Sequence, residues 1–191
     1  MLLRGSFVSD NIFIQAPPAL KTARLTLRPI SLNDLEAMFN YTSSENVARY
    51  VTWDPHKSLD ETKVFVELVL NGYKQGNHLL WGIEYEQKLI GTIDFVSVND
   101  QHKCAEIGYV ISEDYWNKGI TTEAVKKLID YGFNELKMIR IQARCFEDNI
   151  GSQKVMEKSG MLFEGILRKS MFVKGLHQNI KMYAITDDNY F

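Results

Sequence analysis

One switch of hydrophobic period constrains this chain more than any other feature. Glu106-Ile107-Gly108-Tyr109-Val110-Ile111 reads as a strand, and Tyr115-Trp116-Asn117-Lys118-Gly119-Ile120-Thr121-Thr122 follows as a tight loop. From Gly119 to Leu136, the residues Ala124, Val125, Leu128, Ile129, Gly132, Phe133 and Leu136 then recur at helical spacing. A strand that passes through a short glycine loop into a long helix presents free backbone N–H groups and the positive end of the helix dipole. Such a terminus binds phosphate. Gly119 lets a ligand approach the backbone, and Lys118 adds a formal charge. The glycine spacing is neither that of a Walker loop nor that of a dinucleotide fingerprint.

The remaining segments complete a single mixed α/β domain. Residues 1–20, ending in Ala16-Pro17-Pro18, read as an irregular extension, and 21–191 as the domain. Leu25-Thr26-Leu27-Arg28 alternates as a half-buried strand. A helix start at Ser31 to Asp34 leads into Leu32, Leu35, Met38 and Phe39 at helical spacing. A second helix begins near Ser58, with Glu61 placed for a capping box and Val64, Phe65, Leu68 and Val69 as its apolar stripe. Leu79–Tyr85 and Leu89–Val98 read as a hairpin across Glu86-Gln87-Lys88, with Ala105–Ile111 beside it. After the long helix come a strand over Ile139–Cys145 and a short helix over Asn149–Ser159, stopped by Gly160. Strands around Leu162–Arg168 and Asn179–Ile185 finish the chain.

Bulk properties exclude several classes. At 191 residues about 70% of the unfolded surface can be buried. A net charge of −2 argues against a dedicated nucleic-acid binder. Charge is uneven, however. Tyr115–Gly175 holds 11 Lys/Arg against 7 Asp/Glu, and the rest holds 11 against 17. A cationic half beside an anionic half suits a polyanionic cofactor and a cationic substrate; chance patchiness gives the same count. No apolar run approaches the ~18 residues of a membrane span, and Met1–Phe13 lacks a signal-peptide core. Cys104 and Cys145 form no spaced metal motif, and His56, His78, His102 and His177 are scattered. A compact cytosolic-type domain with no metal, no membrane and no nucleic-acid partner is expected.

The loop is followed by Asn149-Ile150-Gly151-Ser152-Gln153-Lys154-Val155-Met156-Glu157-Lys158-Ser159-Gly160-Met161. It is preceded by Thr22-Ala23-Arg24-Leu25-Thr26-Leu27-Arg28-Pro29, Leu89-Ile90-Gly91 and Glu106-Ile107-Gly108-Tyr109. This ordered set resembles the GCN5-related N-acetyltransferase (GNAT) superfamily. Within it, the set is most similar to the RimJ/RimL-like branch of ribosomal-protein N-terminal acetyltransferases. The resemblance spans residues 20–186. It implies an acyl-CoA N-acyltransferase fold: a mixed sheet of about seven strands, about four helices, and a splay between strands four and five. It also implies acetyl-CoA as co-substrate, a primary amine as acceptor, direct transfer in a ternary complex, and room for a homodimer.

Residue by residue, the resemblance places the pyrophosphate on Trp116, Asn117, Lys118, Gly119, Ile120 and Thr121, with Thr122 as a further cofactor contact. The pantetheine arm lies beside Tyr109, Val110 and Ile111, with Asn149 and Ser152 as further cofactor contacts. Trp116 stands where the superfamily usually has Gln or Arg, and Thr121 where it has Gly or Ala. Acetyl transfer needs a neutral amine, and an α-amine with a pKa of about 8 sheds its proton more readily than a lysine at about 10.4. Glu106 is then the expected base; an ion pair is its structural alternative. Ser152 is the expected proton donor to the thiolate, since the tyrosine common on the short helix is replaced by Met156. A Ser there also serves as a plain hydrogen-bond donor. Some RimL-like relatives carry a Glu near Met171, absent here. Asn149 suits an N-cap as well as a cofactor contact. Trp53, Trp81 and Tyr50 are candidates for an amine pocket or for the core. Three functions follow: N-terminal acetylation of a protein, acetylation of a small amine (polyamine, amino acid or antibiotic), or non-catalytic acyl-CoA sensing.

Overall fold

The computed structural model describes residues 16–190, so most of the expected extension 1–20 lies outside the described residues. The chain forms β1 (Leu20–Lys21), β2 (Leu25–Arg28), α1 (Leu35–Thr42), α2 (Glu45–Ala48), α3 (Leu59–Lys74), β3 (Leu79–Tyr85), β4 (Lys88–Asn99) and β5 (Cys104–Ile111). It continues with α4 (Ile120–Asn134), β6 (Arg140–Phe146), α5 (Ile150–Lys158), β7 (Leu162–Val173) and β8 (Leu176–Thr186). The eight strands make one mixed sheet in the order β1-β2-β3-β4-β5-β6-β8-β7. All neighbours are antiparallel except β5 and β6, which the α4 crossover makes parallel.

Most expected elements are present, with local differences that have physical causes. Glu86 and Gln87 both take left-handed backbone, so β3 and β4 join through a tight two-residue turn. The apolar stripe of α3 runs elsewhere than expected. Thr62, Val66, Val69 and Tyr73 face the core, while Val64 and Leu68 are exposed. Ser58 does cap α3, but Glu61 accepts from Lys57 N at 2.8 Å, so the reciprocal half of the box falls one residue early. A complete box forms instead at Ser31 and Asp34. The short β1 and α2 lie outside the expected elements, and the last two strands form a longer hairpin than the sequence suggests.

The core lies on both faces of the sheet. One face packs Leu27, Trp81, Ile83, Ile93 and Ile107 under Ala124, Leu128 and Ile129 of α4. The other packs Leu80 and Leu89 under Met38, Tyr41, Val66 and Val69 of α1 and α3. Gly132 is the contact point of α4, since a Cβ there would meet Ile141 Cδ1 at 2.5 Å.

The feature that positions the site is where the sheet fails to close. β4 and β5 stay paired from Asn99↔Cys104 to Gly91↔Ile111. β5 and β6 pair only from Cys104↔Arg140 to Ile107↔Ala143, and then part. From Gly108 onward β5 has a free inner edge, with β6 splayed away from it.

The same register sets the cysteines apart. Cys104 lies opposite Arg140, and Cys145 is further along the parallel β6. At about 3.3 Å per residue they are ~15 Å apart, beyond the ~7 Å that a disulfide tolerates. Both are free. A thiol titration of the unfolded, unreduced protein is expected to find both thiols reactive.

Candidate active site

The splay opens into a cavity of about 530 Å³ that passes through the sheet. Ile107, Gly108, Tyr109, Val110 and Ile111 form its β5 wall. Asn149, Gly151, Ser152 and Val155 of the short helix line one side, and Asn46, Val47, Tyr50 and Val51 the other.

The loop into α4 forms one end. Asn117 and Gly119 both adopt left-handed backbone, and Gly119 is the N-cap of α4. Turns of this kind make concavities of backbone N–H groups that hold anions. The first N–H groups of the helix have no intrahelical acceptor. The terminus is clamped from outside the loop. Glu123 accepts from Thr22 Oγ1 at 2.6 Å and from Arg24 Nε at 2.7 Å, while Arg24 Nη1 donates to Lys118 O at 3.1 Å. Burial works to raise the Glu123 carboxyl, but these hydrogen bonds outweigh it and hold it below its usual value. Trp116, 40% exposed, donates its indole N–H to Ile111 O at 3.0 Å. The indole thereby fastens the loop to the end of β5.

The short helix α5 forms another wall. Asn149 caps it, with Oδ1 accepting from Ser152 N at 3.0 Å. Ser152 Oγ lies 2.7 Å from Tyr109 Oη. Burial pushes the Tyr109 phenol well above its ordinary range, so it stays protonated and can donate to Ser152 Oγ. Tyr109 Oη also lies 3.2 Å from Ser152 O, so the phenol is fastened to the first turn of the helix. Cys145 also lines the cavity, and burial lifts its thiol to about 11, so it remains a neutral wall. Met156 is fully buried in the core and does not line the cavity.

On the opposite face of the sheet lies a polar ladder. Glu106 is 8% exposed; one oxygen pairs with the Arg144 guanidinium, Nε at 2.8 Å, and the other accepts from Gln142 Nε2 at 3.0 Å. Arg140 Nε continues it to Gln142 Oε1 at 3.2 Å. The wall formed by α2 is held by Glu113, which accepts from Ser44 Oγ at 2.9 Å and Asn46 Nδ2 at 2.7 Å. Lys174 Nζ of the last hairpin donates to Ala48 O at 2.7 Å, tying the same wall to the other end of the sheet.

Tyr109, Val110, Ile111, Trp116, Asn117, Gly119, Thr121, Thr122, Asn149 and Ser152 converge on this cavity. Three expected site residues stand apart. Ile120 is 1% exposed in the core and offers only its backbone, while Lys118 Nζ lies over the Tyr115 ring at 5.3 Å. Glu106 sits beside the cavity, behind Arg144. Of the aromatic candidates, Tyr50 lines the cavity, Trp53 packs on the α1–α3 core, and Trp81 is wholly buried against Phe95 and Tyr131. Sequence reasoning missed Lys154 and Lys158, which bring cationic charge to the cavity from α5. Their spacing of one helical turn, counted from Asn149, is the signal that marks them. Among the described residues no cluster of three or more His, Cys, Asp or Glu is placed to hold a metal ion, and no helix is long and apolar enough to cross a membrane.

Comparison with known proteins agrees with this geometry. Residues 24–162 match the acetyltransferase (GNAT) domain family. The chain is 35% identical over 170 residues to the uncharacterized N-acetyltransferase YoaA of Bacillus subtilis, covering 88% of this chain and 96% of that one. The spermidine N-acetyltransferase of Vibrio cholerae, solved with CoA and spermine, superposes with a TM-score of 0.76 at 26% identity, covering 88% of this chain and 99% of that one. RimL, a ribosomal L7/L12 α-N-protein acetyltransferase solved with coenzyme A, shares the fold with a TM-score of 0.80 at 20% identity, covering 90% of this chain and 99% of that one. A sheet of this fold, splayed beside a glycine-capped helix, is thus shared with acetyltransferases solved with CoA. The chain belongs to the GNAT family of acetyltransferases.

Proposed function

We propose that this enzyme acetylates the N-terminal α-amino group of a protein, by direct transfer from acetyl-CoA within a ternary complex. One observation carries the choice of acceptor: among the described residues no Asp or Glu lines the cavity, while Arg144, Lys154 and Lys158 do. A polyamine keeps several cationic nitrogens and needs fixed carboxylates to hold them. An α-amine needs only one proton acceptor at the point of attack, and its pKa of about 8 puts part of it in the neutral form near pH 7. The ribosomal-protein type of acceptor fits the RimJ/RimL-like motif set.

In this reading the amides of Asn117 to Thr122 hold the pyrophosphate, and the free edge of β5 from Tyr109 to Ile111 pairs with the pantetheine arm. A backbone N–H on that edge polarises the thioester carbonyl. Asn149 contacts the arm, Ser152 delivers a proton to the departing thiolate, and a carboxylate on the polar face serves the amine, Glu106 being the one the sequence points to. The acceptor enters between α2 and β5, past Tyr50. Two unpaired thiols and a need for acetyl-CoA suit the cytoplasm. The homodimer the resemblance allows is checked by sedimentation.

The alternative, acetylation of a small amine, draws on the spermidine N-acetyltransferase among the relatives. CoA release measured against a panel of peptides with free N-termini and a panel of polyamines and amino acids separates the two. We expect turnover with peptides, lost when their N-termini are blocked. Turnover confined to the polyamine panel overturns the N-terminal reading, and release with neither panel leaves acyl-CoA sensing.

A further inference from the structure

Two carboxylates share the polar face of the sheet beside the splay, Glu106 on β5 and Asp94 on β4. Resting on the acetyl-transfer reading of this cavity, we propose that Asp94, set behind the Gly108 wall and not itself lining the cavity, is the base that takes the proton from the attacking amine across the gap that Gly108 leaves.

Asp94 and Gly108 are directly opposite in the antiparallel ladder, so they share one face of the sheet. Gly108 lines the cavity and is the first residue of β5 beyond its last pair with β6. Its backbone is not left-handed, so its conformation does not call for glycine. Space does. A Cβ at position 108 would sit 2.9 Å from Asp94 Oδ1 and 2.6 Å from Val96 Cγ2. The missing side chain makes room for the Asp94 carboxyl directly behind the Gly108 wall of the cavity.

Partners separate the two carboxylates. Glu106 has one oxygen on Arg144 and the other on Gln142, which commits it to an ion pair. Asp94 has neither a hydrogen bond nor an ion pair among the described residues. The charged group facing it is Glu106, whose own charge is offset by Arg144 of β6. From the helices covering this face, Tyr73 of α3 senses its charge while donating to Leu80 O at 2.6 Å, and Tyr41 of α1 stands over Thr92. Burial, reinforced by Glu106, lifts the Asp94 carboxyl to about 7, the range in which a general base both holds and releases a proton near neutral pH.

The proton balance is simple. Asp94, ionised, removes one proton from the ammonium, and the neutral nitrogen attacks the thioester carbonyl carbon. As the C–N bond forms and the C–S bond breaks, the second nitrogen proton is lost to solvent, while the thiolate gains a proton from Ser152, whose hydroxyl regains one from solvent. Asp94 then returns its proton to water, so an acetamide, a thiol and one net proton result.

The test is the pH profile of kcat/KM over about pH 6 to 9 with acetyl-CoA and the best acceptor, using the full chain. Asp94→Asn is expected to lose about 100-fold or more at pH 7.5. Wild type should level off above about 7, whereas the variant should keep climbing toward the amine's own pKa of about 8. Asp94→Glu should recover part of the rate and restore a plateau, and it carries the test should Asp94→Asn fail to fold. Glu106→Gln removes a negative neighbour and frees Arg144, so it should move the plateau to lower pH. Thermal stabilisation by acetyl-CoA should be unchanged throughout. Asp94→Asn within about threefold of wild type, or with an unaltered profile, overturns the proposal, as does a 100-fold loss confined to Glu106→Gln. A wild-type enzyme that releases no CoA with any amine instead overturns the acetyl-transfer reading, and this proposal with it.

Discussion

Replacing Gly119 with glutamate is expected to abolish the stabilisation that acetyl-CoA gives the wild-type protein. A ligand at about 100 times its Kd stabilises the native state by about 2.7 kcal/mol, and in a domain of this size that raises Tm by about 5–10 °C. Gly119 caps α4 with φ 74°, a backbone conformation in which any L side chain is strained. Space is not the obstacle, because the nearest atom to a Cβ there is Arg24 Nη2 at 3.6 Å. Glutamate therefore acts through backbone strain and through its charge beside the phosphates. The unliganded variant should melt within a few degrees of wild type, while its shift with acetyl-CoA vanishes. A scan across acetyl-CoA concentrations reads both. A retained shift would remove the pyrophosphate from this loop.

Ser152→Ala should lower kcat by about 10²-fold, within the span of general acid catalysis, and leave acetyl-CoA affinity nearly unchanged. The reason is local. Ser152 Oγ is the hydroxyl that Tyr109 holds at 2.7 Å, and Met156 one turn on is sealed in the core. Ser152 is the hydroxyl that α5 presents to the cavity. High pH should not rescue this variant, because its defect lies in thiolate departure and not in the neutrality of the amine. Tyr109→Phe should lose less, since it only orients the Ser152 hydroxyl. Pre-steady-state rates with saturating acetyl-CoA distinguish the two. An alanine variant that turns over like wild type would make Ser152 a structural donor to the helix start.

Much of this site was legible because its parts are local. Gly119 before a helical apolar period, and Asn149 at the start of another, signal their caps in a few residues, and both are caps in the fold. The strand registers were less legible. Asp94 and Gly108 meet only because the β4–β5 ladder shifts at the bulge between Phe95 and Ser97, a detail that no local pattern encodes. The α3 stripe shows another limit. Val64 and Leu68 are as apolar as Val66 and Val69, and the choice between the two sets is made by where α1 and β4 sit. Glu106 was readable as a carboxylate on the right strand. Its engagement by Arg144 and Gln142 is not, since those partners come from a strand that follows the whole α4 crossover. Lys154 and Lys158 become part of the cofactor cavity for the same reason, once α5 is laid along the splay.

The central claim is that acetyl-CoA fills the gap between β5 and β6, and a crystal structure of the complex tests it most directly. The pantetheine arm should pair with the backbone of β5 between Gly108 and Ile111, and the pyrophosphate should lie on the amides of Asn117 to Thr122. The thioester should then stand between Ser152 Oγ and the Asp94–Gly108 face. Acetyl-CoA bound instead along the flank of α4 at Lys126 and Lys127, with the splay empty, would contradict the account.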